Sequence, residues 1–218
     1  DYTTRITREQ GRLEQLKKEA SELGLDTEGN STGGGLVEDS PAGKTVQATG
    51  DGLPKNTKLG TGSGTGFKLM GDLTSSGYTP TQAAAIAGNA QYESANFTAH
   101  EEFAPNAYGT KGAGFFQWTN AGGSNRRDSF ESHARSKGLD PRSYEANTGY
   151  MLHELKGGAG NHWTGGMNDQ TFRQIGDLNT AVTSFQNNYL RPAADTANTE
   201  QRLKYSQSLL NQWNAANS

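Results

Sequence analysis

The chain has no cysteine, which rules out disulfides, thiolate metal sites and a cysteine nucleophile. No apolar run approaches the length of a membrane-spanning helix, and no signal peptide is visible. Neither charge sign dominates: 20 Lys and Arg stand against 23 Asp and Glu, and a net charge of −3 gives no reason to expect nucleic acid as a partner. Apolar residues make up only 31% of the 218, and the 29 glycines are unevenly spread, so part of the chain is expected to lack a core. Histidine is scarce as well. His100, His133, His153 and His162 are the full set, none pairs with another at short metal-ligand spacing, and His153-Glu154 lacks the second histidine of HExxH. A zinc peptidase, the competing enzyme class, thus finds little support; no GxSxG elbow is present, and no cofactor is expected. The first residue is Asp1 rather than methionine, so a cleaved product or a segment of a longer chain is expected.

What is present divides into three regions. In residues 1–25, Ile6, Leu13, Leu16, Ala20 and Leu23 form a heptad-like seam interrupted by Glu9, with Gly24 as a helix stop. The spacing predicts an amphipathic docking helix; a short coiled coil is the sharper alternative, but the seam runs for fewer than three heptads. Residues 26–66 lose all periodicity in STGGG, SPAGK and GTGSGTG, the composition of a flexible or extended linker. Gly43-Lys44-Thr45 lacks the upstream glycine that a phosphate-binding loop needs. Residues 67–218 carry the compact domain. Helices are predicted around Phe67–Leu73, after Thr79, after Ser124 or Asn125, after Ser143, after Asp177 and from about Thr199, with a Gly-rich loop over 157–169. A small hairpin is expected around Phe115–Trp118, where Gly109, Gly112 and Gly114 permit close backbone approach. The fold class is therefore α+β and mainly α.

The stretch from Thr79 to Trp118 organises the domain. Thr79, Pro80 and Gln82 spell a capping box with proline at the first helical position. Ala83, Ile86, Ala87 and Ala90 form a narrow apolar stripe that Glu93 continues, three residues past Ala90 and seven past Ile86. A carboxylate is thus expected on the core-facing side of a helix, near its end. Burial and the negative end of the helix dipole both disfavour its charged form. A carboxyl that holds its proton near neutral pH is what a general acid in glycoside cleavage requires.

GNAQYES, GAGFFQW, RRDSF, YMLHEL and SFQNNYLRP follow one another in an order and rough spacing that resembles the lysozyme-like domain of phage tail lysozymes. That group is similar to goose-type lysozymes and lytic transglycosylases in fold and in its lone catalytic glutamate. The resemblance covers about residues 70–215 and implies a virion-borne enzyme that cuts the glycan strands of peptidoglycan, so that a phage tail or its DNA can pass the wall. Carried over by position, Glu93 takes the place of the general acid, and Gln117 would line the sugar cleft and bond substrate. Trp118 would stack on a sugar or fill the core. Tyr92 and Ser94 flank the acid as substrate contacts or mere neighbours. Arg127, beside Arg126 at a helix start, would order the active-site loop or face solvent, and Tyr189 with Arg191-Pro192 would pack the last helices.

A second carboxylate would come from Glu101 or Glu102 in the loop leaving the helix, with Glu102 slightly preferred. Alternatively none is needed, and the muramyl hydroxyl attacks as in lytic transglycosylases. An inactive tail plug or glycan-binding module is the reading from a different class. The implied partners are peptidoglycan glycan strands as substrate and other tail proteins through the N-terminal helix and linker; a homo-oligomer is left open.

Overall fold

The computed structural model describes residues 63–102, 105, 109–121, 123–194 and 197–218. The expected docking helix of residues 1–25 and all but the last residues of the linker lie outside the described residues. The described chain is mainly helical. In order it forms α1 (Ser63–Ser75), α2 (Pro80–Glu93), α3 (Arg126–Ser136), α4 (Tyr144–Leu155), α5 (Asp169–Phe172) and α6 (Leu178–Phe185). A π-helical turn (Gln186–Leu190) and α7 (Thr199–Ala216) complete it. Paired backbone outside the helices amounts, among the described residues, to isolated bridges: Glu101 with Ala113, Ala113 with Trp118, and Gly158 with Gly160.

α2 starts where its local chemistry dictates. Thr79 Oγ1 accepts from the Gln82 backbone N–H at 3.3 Å, Gln82 Oε1 accepts from the Thr79 N–H at 3.0 Å, and Pro80 occupies the first turn. Gln82 is used twice over, because its Nε2 also donates to the carbonyls of Arg173 and Ile175. Burial of α2 goes well beyond the narrow stripe read from the sequence: every residue from Gln82 to Tyr92 is buried. Five of the positions from Ala83 to Ala90 are alanine, and side chains this small let neighbouring helices close in on all faces, so one-sided periodicity is lost. α2 is consequently the central helix, packed against α1, α6 and, most extensively, α7.

The α2–α7 contact depends on Gly88. A Cβ there would lie 2.6 Å from the Ser206 backbone nitrogen and 2.8 Å from its Cα, both fixed in α7. Alanine would gain about 1 kcal/mol of helix propensity. Forcing two backbones apart costs about 1–3 kcal/mol and sometimes more, so overpacking wins. Gly88→Ala is expected to lower unfolding stability by about 2 kcal/mol, read from the urea midpoint; a wild-type midpoint would mean that α7 slides freely on α2.

Two segments depart from the sequence reading. α1 begins at Ser63, so residues 63–66, expected in the linker, are helical, with Gly66 buried against Leu209 and Phe97. Tertiary packing there overrides a poor helix propensity. The short α5 sits at the end of the expected 157–169 loop, capped by a reciprocal pair between Asn168 and Thr171. Ser143 and Asp177 cap α4 and α6 through their side chains, as read.

Candidate active site

Glu93 is the last residue of α2, and the chain leaves it through a strained turn. Ser94 is fully buried; its Oγ donates to the Ala90 carbonyl at 2.6 Å and accepts from the Phe97 N–H at 3.0 Å. Ala95, Asn96 and Phe97 then all take positive φ (46°, 64° and 65°). Three successive non-glycine residues in the left-handed region cost of order 1–3 kcal/mol each, and strain of this kind persists where surrounding packing over-determines it. Phe97 supplies that packing, fully buried edge-on to Phe115. Gln91 Nε2 adds a 2.6 Å bond to Asn96 Oδ1. The turn holds the end of α2 in one place.

The Glu93 side chain is 19% exposed, and its Oε1 accepts from Arg202 Nη2 at 2.5 Å. Arg202 comes from α7 and is itself only 1% exposed. Its Nη1 donates to Asn89 Oδ1 at 3.0 Å, its Nε to the Ala197 carbonyl at 2.6 Å, and its guanidinium lies 4.2 Å from the centroid of the Tyr92 ring. Asn89, Tyr92 and Glu93, all from the last turns of α2, therefore converge on one buried cation. Glu93 Oε2 has no polar partner among the described residues. The sequence reading puts this carboxylate on the core-facing side near the helix end; what it does not foresee is the guanidinium on one oxygen. Ser94 and the Tyr92 ring are enclosed, so here they serve the helix end and Arg202.

The two loop carboxylates differ. Glu101 pairs with Arg127 Nη2 at 2.6 Å and Lys111 Nζ at 3.9 Å, and the hydrogen bond from Arg127 holds its carboxyl below the usual carboxylate range. Arg127 also donates to Glu131 and to the Lys111 carbonyl, so it ties both limbs of the loop to α3. Of its two sequence readings, loop ordering matches these contacts. Glu102 is anchored otherwise: its N–H donates to the Gly112 carbonyl at 2.9 Å, and its Oε2 accepts from the Gly112 N–H at 2.7 Å.

Gln117 sits at φ +49° and 9% exposed, its Nε2 donating to the carbonyls of Gly114 (2.8 Å) and Ala99 (3.3 Å). Its side chain thus reaches the segment of chain that leaves Glu93, and its Oε1 is buried without a partner among the described residues. Trp118 points the other way. It is 1% exposed, packed 4.5 Å from Phe130 and 4.9 Å from Tyr150 between ring centroids, which is the core-filling alternative of the two raised for it.

Trp118 belongs to a second polar cluster, centred on Glu154 of α4 and fully buried. Glu154 accepts from Arg126 Nε (2.8 Å) and Nη2 (2.7 Å), from Trp118 Nε1 (2.8 Å) and from the Tyr189 hydroxyl. His162 Nε2 lies 3.5 Å away. Burial would push the Glu154 carboxyl up, but the bonds and charge of Arg126 outweigh it and hold the carboxyl below its ordinary value. Burial leads in lowering His162, as it does for His100 and His133. His133 stacks on His153 at 4.7 Å, and both line a cleft of about 500 Å³ beside α3 and α4, which none of the candidate residues lines.

Sequence reasoning does not single out Arg202 or Glu154. Arg202 precedes Leu209 by seven residues and Trp213 by eleven, so it shares their helix face, and a charged residue on that face is the available signal.

The family described as phage tail lysozyme matches residues 67–213, about two thirds of the 218-residue chain. The protein belongs to the phage tail lysozyme family, a lysozyme-like, peptidoglycan-lytic family associated with phage tails. Comparison with curated proteins gives no match.

Proposed function

We propose that the protein is a virion-borne muramidase that hydrolyses the MurNAc–GlcNAc β-1,4 linkage and opens the host wall locally during infection, with Glu93 as general acid. The observation that supports this most is the state of Glu93 within the family-matched segment: one oxygen gripped, the other unpartnered among the described residues, at the partly open end of a helix buried from Gln82 to Tyr92. In the reaction Glu93 gives a proton to the glycosidic oxygen as the C–O bond breaks, and the bonding pair leaves on that oxygen. Water completes the break, its oxygen joining the muramyl anomeric carbon and its proton restoring the acid–base pair. Glu102 supplies the second carboxylate. Its Oε2 is oriented by the Gly112 backbone N–H, in the loop that leaves the Glu93 helix. Residues 1–25 dock the enzyme on other tail proteins, and the linker tethers it.

Mass spectrometry of muropeptides released from purified sacculi tests the reading. Reducing MurNAc ends are expected, together with loss of activity in Glu102→Gln but not in Glu101→Gln. Anhydro ends would replace hydrolysis with transglycosylation by the same acid. New peptide termini, or intact sacculi that still bind the chain, would overturn glycosidase action.

A further inference from the structure

We infer that Arg202 is a positioning residue for the Glu93 carboxyl, assigning the two oxygens to separate tasks. The inference rests on the general-acid reading of Glu93 and deepens it. A protonated carboxyl has one carbonyl oxygen, which can only accept, and one hydroxyl oxygen, which carries the proton. Arg202 Nη2 can only donate, and it occupies Oε1. The carbonyl oxygen is the stronger acceptor, so in the acid form the donor at Oε1 favours the carbonyl there and the proton on Oε2, the oxygen without a partner among the described residues. Without that fork the carboxyl could turn about its terminal torsion and hold the proton on either oxygen, so only a fraction of orientations would be productive.

Arg202 is built to stay in place. Asn89, the Ala197 carbonyl and the Tyr92 ring hold its remaining faces, and its burial keeps it from touching a glycan bound outside. Asn89 is in turn fixed by bonds from its Nδ2 to the Ala85 and Val182 carbonyls, so α2, α6 and α7 all bear on the orientation of one carboxyl. The requirement explains why a fully buried cation sits in a helix face otherwise made of Ser206 and Leu209. It also gives the close contact of Gly88 with Ser206 a purpose, since separating α7 from α2 would draw Arg202 off Glu93.

The full chain with Arg202→Lys and with Arg202→Gln tests this, each rate being corrected for the folded fraction measured by circular dichroism. Arg202→Lys keeps the charge but loses the planar fork; kcat is expected to fall about 10-fold with KM unchanged. Arg202→Gln also removes the charge. Its kcat is expected to fall about 100-fold, again with KM unchanged. A purely structural arginine would lower the folded fraction and leave kcat of the folded enzyme alone, which would overturn the inference, as would a loss confined to KM. Should Arg202→Gln not fold, kcat of Arg202→Lys decides. Glu93→Gln run alongside separates the two levels: if that variant keeps full activity, the general-acid reading itself has failed.

Discussion

Glu93→Gln is expected to reduce the rate of reducing-end release from peptidoglycan by about 1000-fold, within the range of roughly 10²–10⁴ that a positioned general acid contributes. Glutamine keeps the shape and still offers Oε1 to Arg202 as a carbonyl acceptor, so the geometry at the end of α2 should survive. What it cannot do is surrender a proton to a leaving oxygen. Arg202 loses its charged partner but keeps Asn89, the Ala197 carbonyl and the Tyr92 ring, so the stability loss should stay within about 1.5–3 kcal/mol, the usual range for a hydrogen bond to a charged group. KM should change little, because the carboxyl acts on the bond being broken rather than on the bulk of the glycan. Near-UV circular dichroism and turnover measured on the same preparation separate these effects. Wild-type clearing by Glu93→Gln would sink the assignment outright.

How far the molecule can be read from its residues depends on the distance over which each feature is decided. The start of α2 is written within four residues, Thr79 to Gln82, and Ser143 and Asp177 are equally local, so those helices are legible. α5 is four residues long and preceded by a glycine-rich stretch; its capping pair, Asn168 and Thr171, is present but drowned by its surroundings. The partner of Glu93 lies 109 residues further on, and nothing near Arg202 announces a carboxylate. Trp118 shows the same limit. Its neighbours in GAGFFQW suit a sugar platform as well as a core, and only the arrival of Phe130, Tyr150 and Glu154 from other helices decides the matter. The four later motifs, read by their order and spacing along the chain, meet in one cluster. GAGFFQW gives Trp118, RRDSF gives Arg126, YMLHEL gives Tyr150 and Glu154, and SFQNNYLRP gives Tyr189, all around one carboxylate. Motifs so far apart in the chain meet in space because each supplies a donor to the same buried acceptor.

That shared acceptor sets the largest expected effect on stability. Removing one partner of a buried ion pair typically costs about 3–5 kcal/mol, since the other is left charged without compensation. Glu154→Leu strands Arg126 and leaves the Trp118 indole and Tyr189 hydroxyl without their acceptor, so the upper part of that range is expected in urea unfolding. Arg126→Met alone should fall in the same range. The double variant should cost clearly less than the sum, because no buried charge remains, yet not return to wild type while Trp118 and Tyr189 stay unsatisfied. The pair also dictates acid behaviour. Glu154 is held below its ordinary value in the folded chain, while in the unfolded chain it titrates near 4.3. The unfolded state thus takes up the proton first as pH falls. The stability is complete above the unfolded value and drains away as pH drops through the folded one. Wild type should therefore lose stability steeply below about pH 4, and Glu154→Gln, already weakened, should show a shallower slope over the same interval. Parallel slopes would mean that other carboxylates govern acid unfolding, and that the cluster joining four motifs contributes shape rather than charge to the fold.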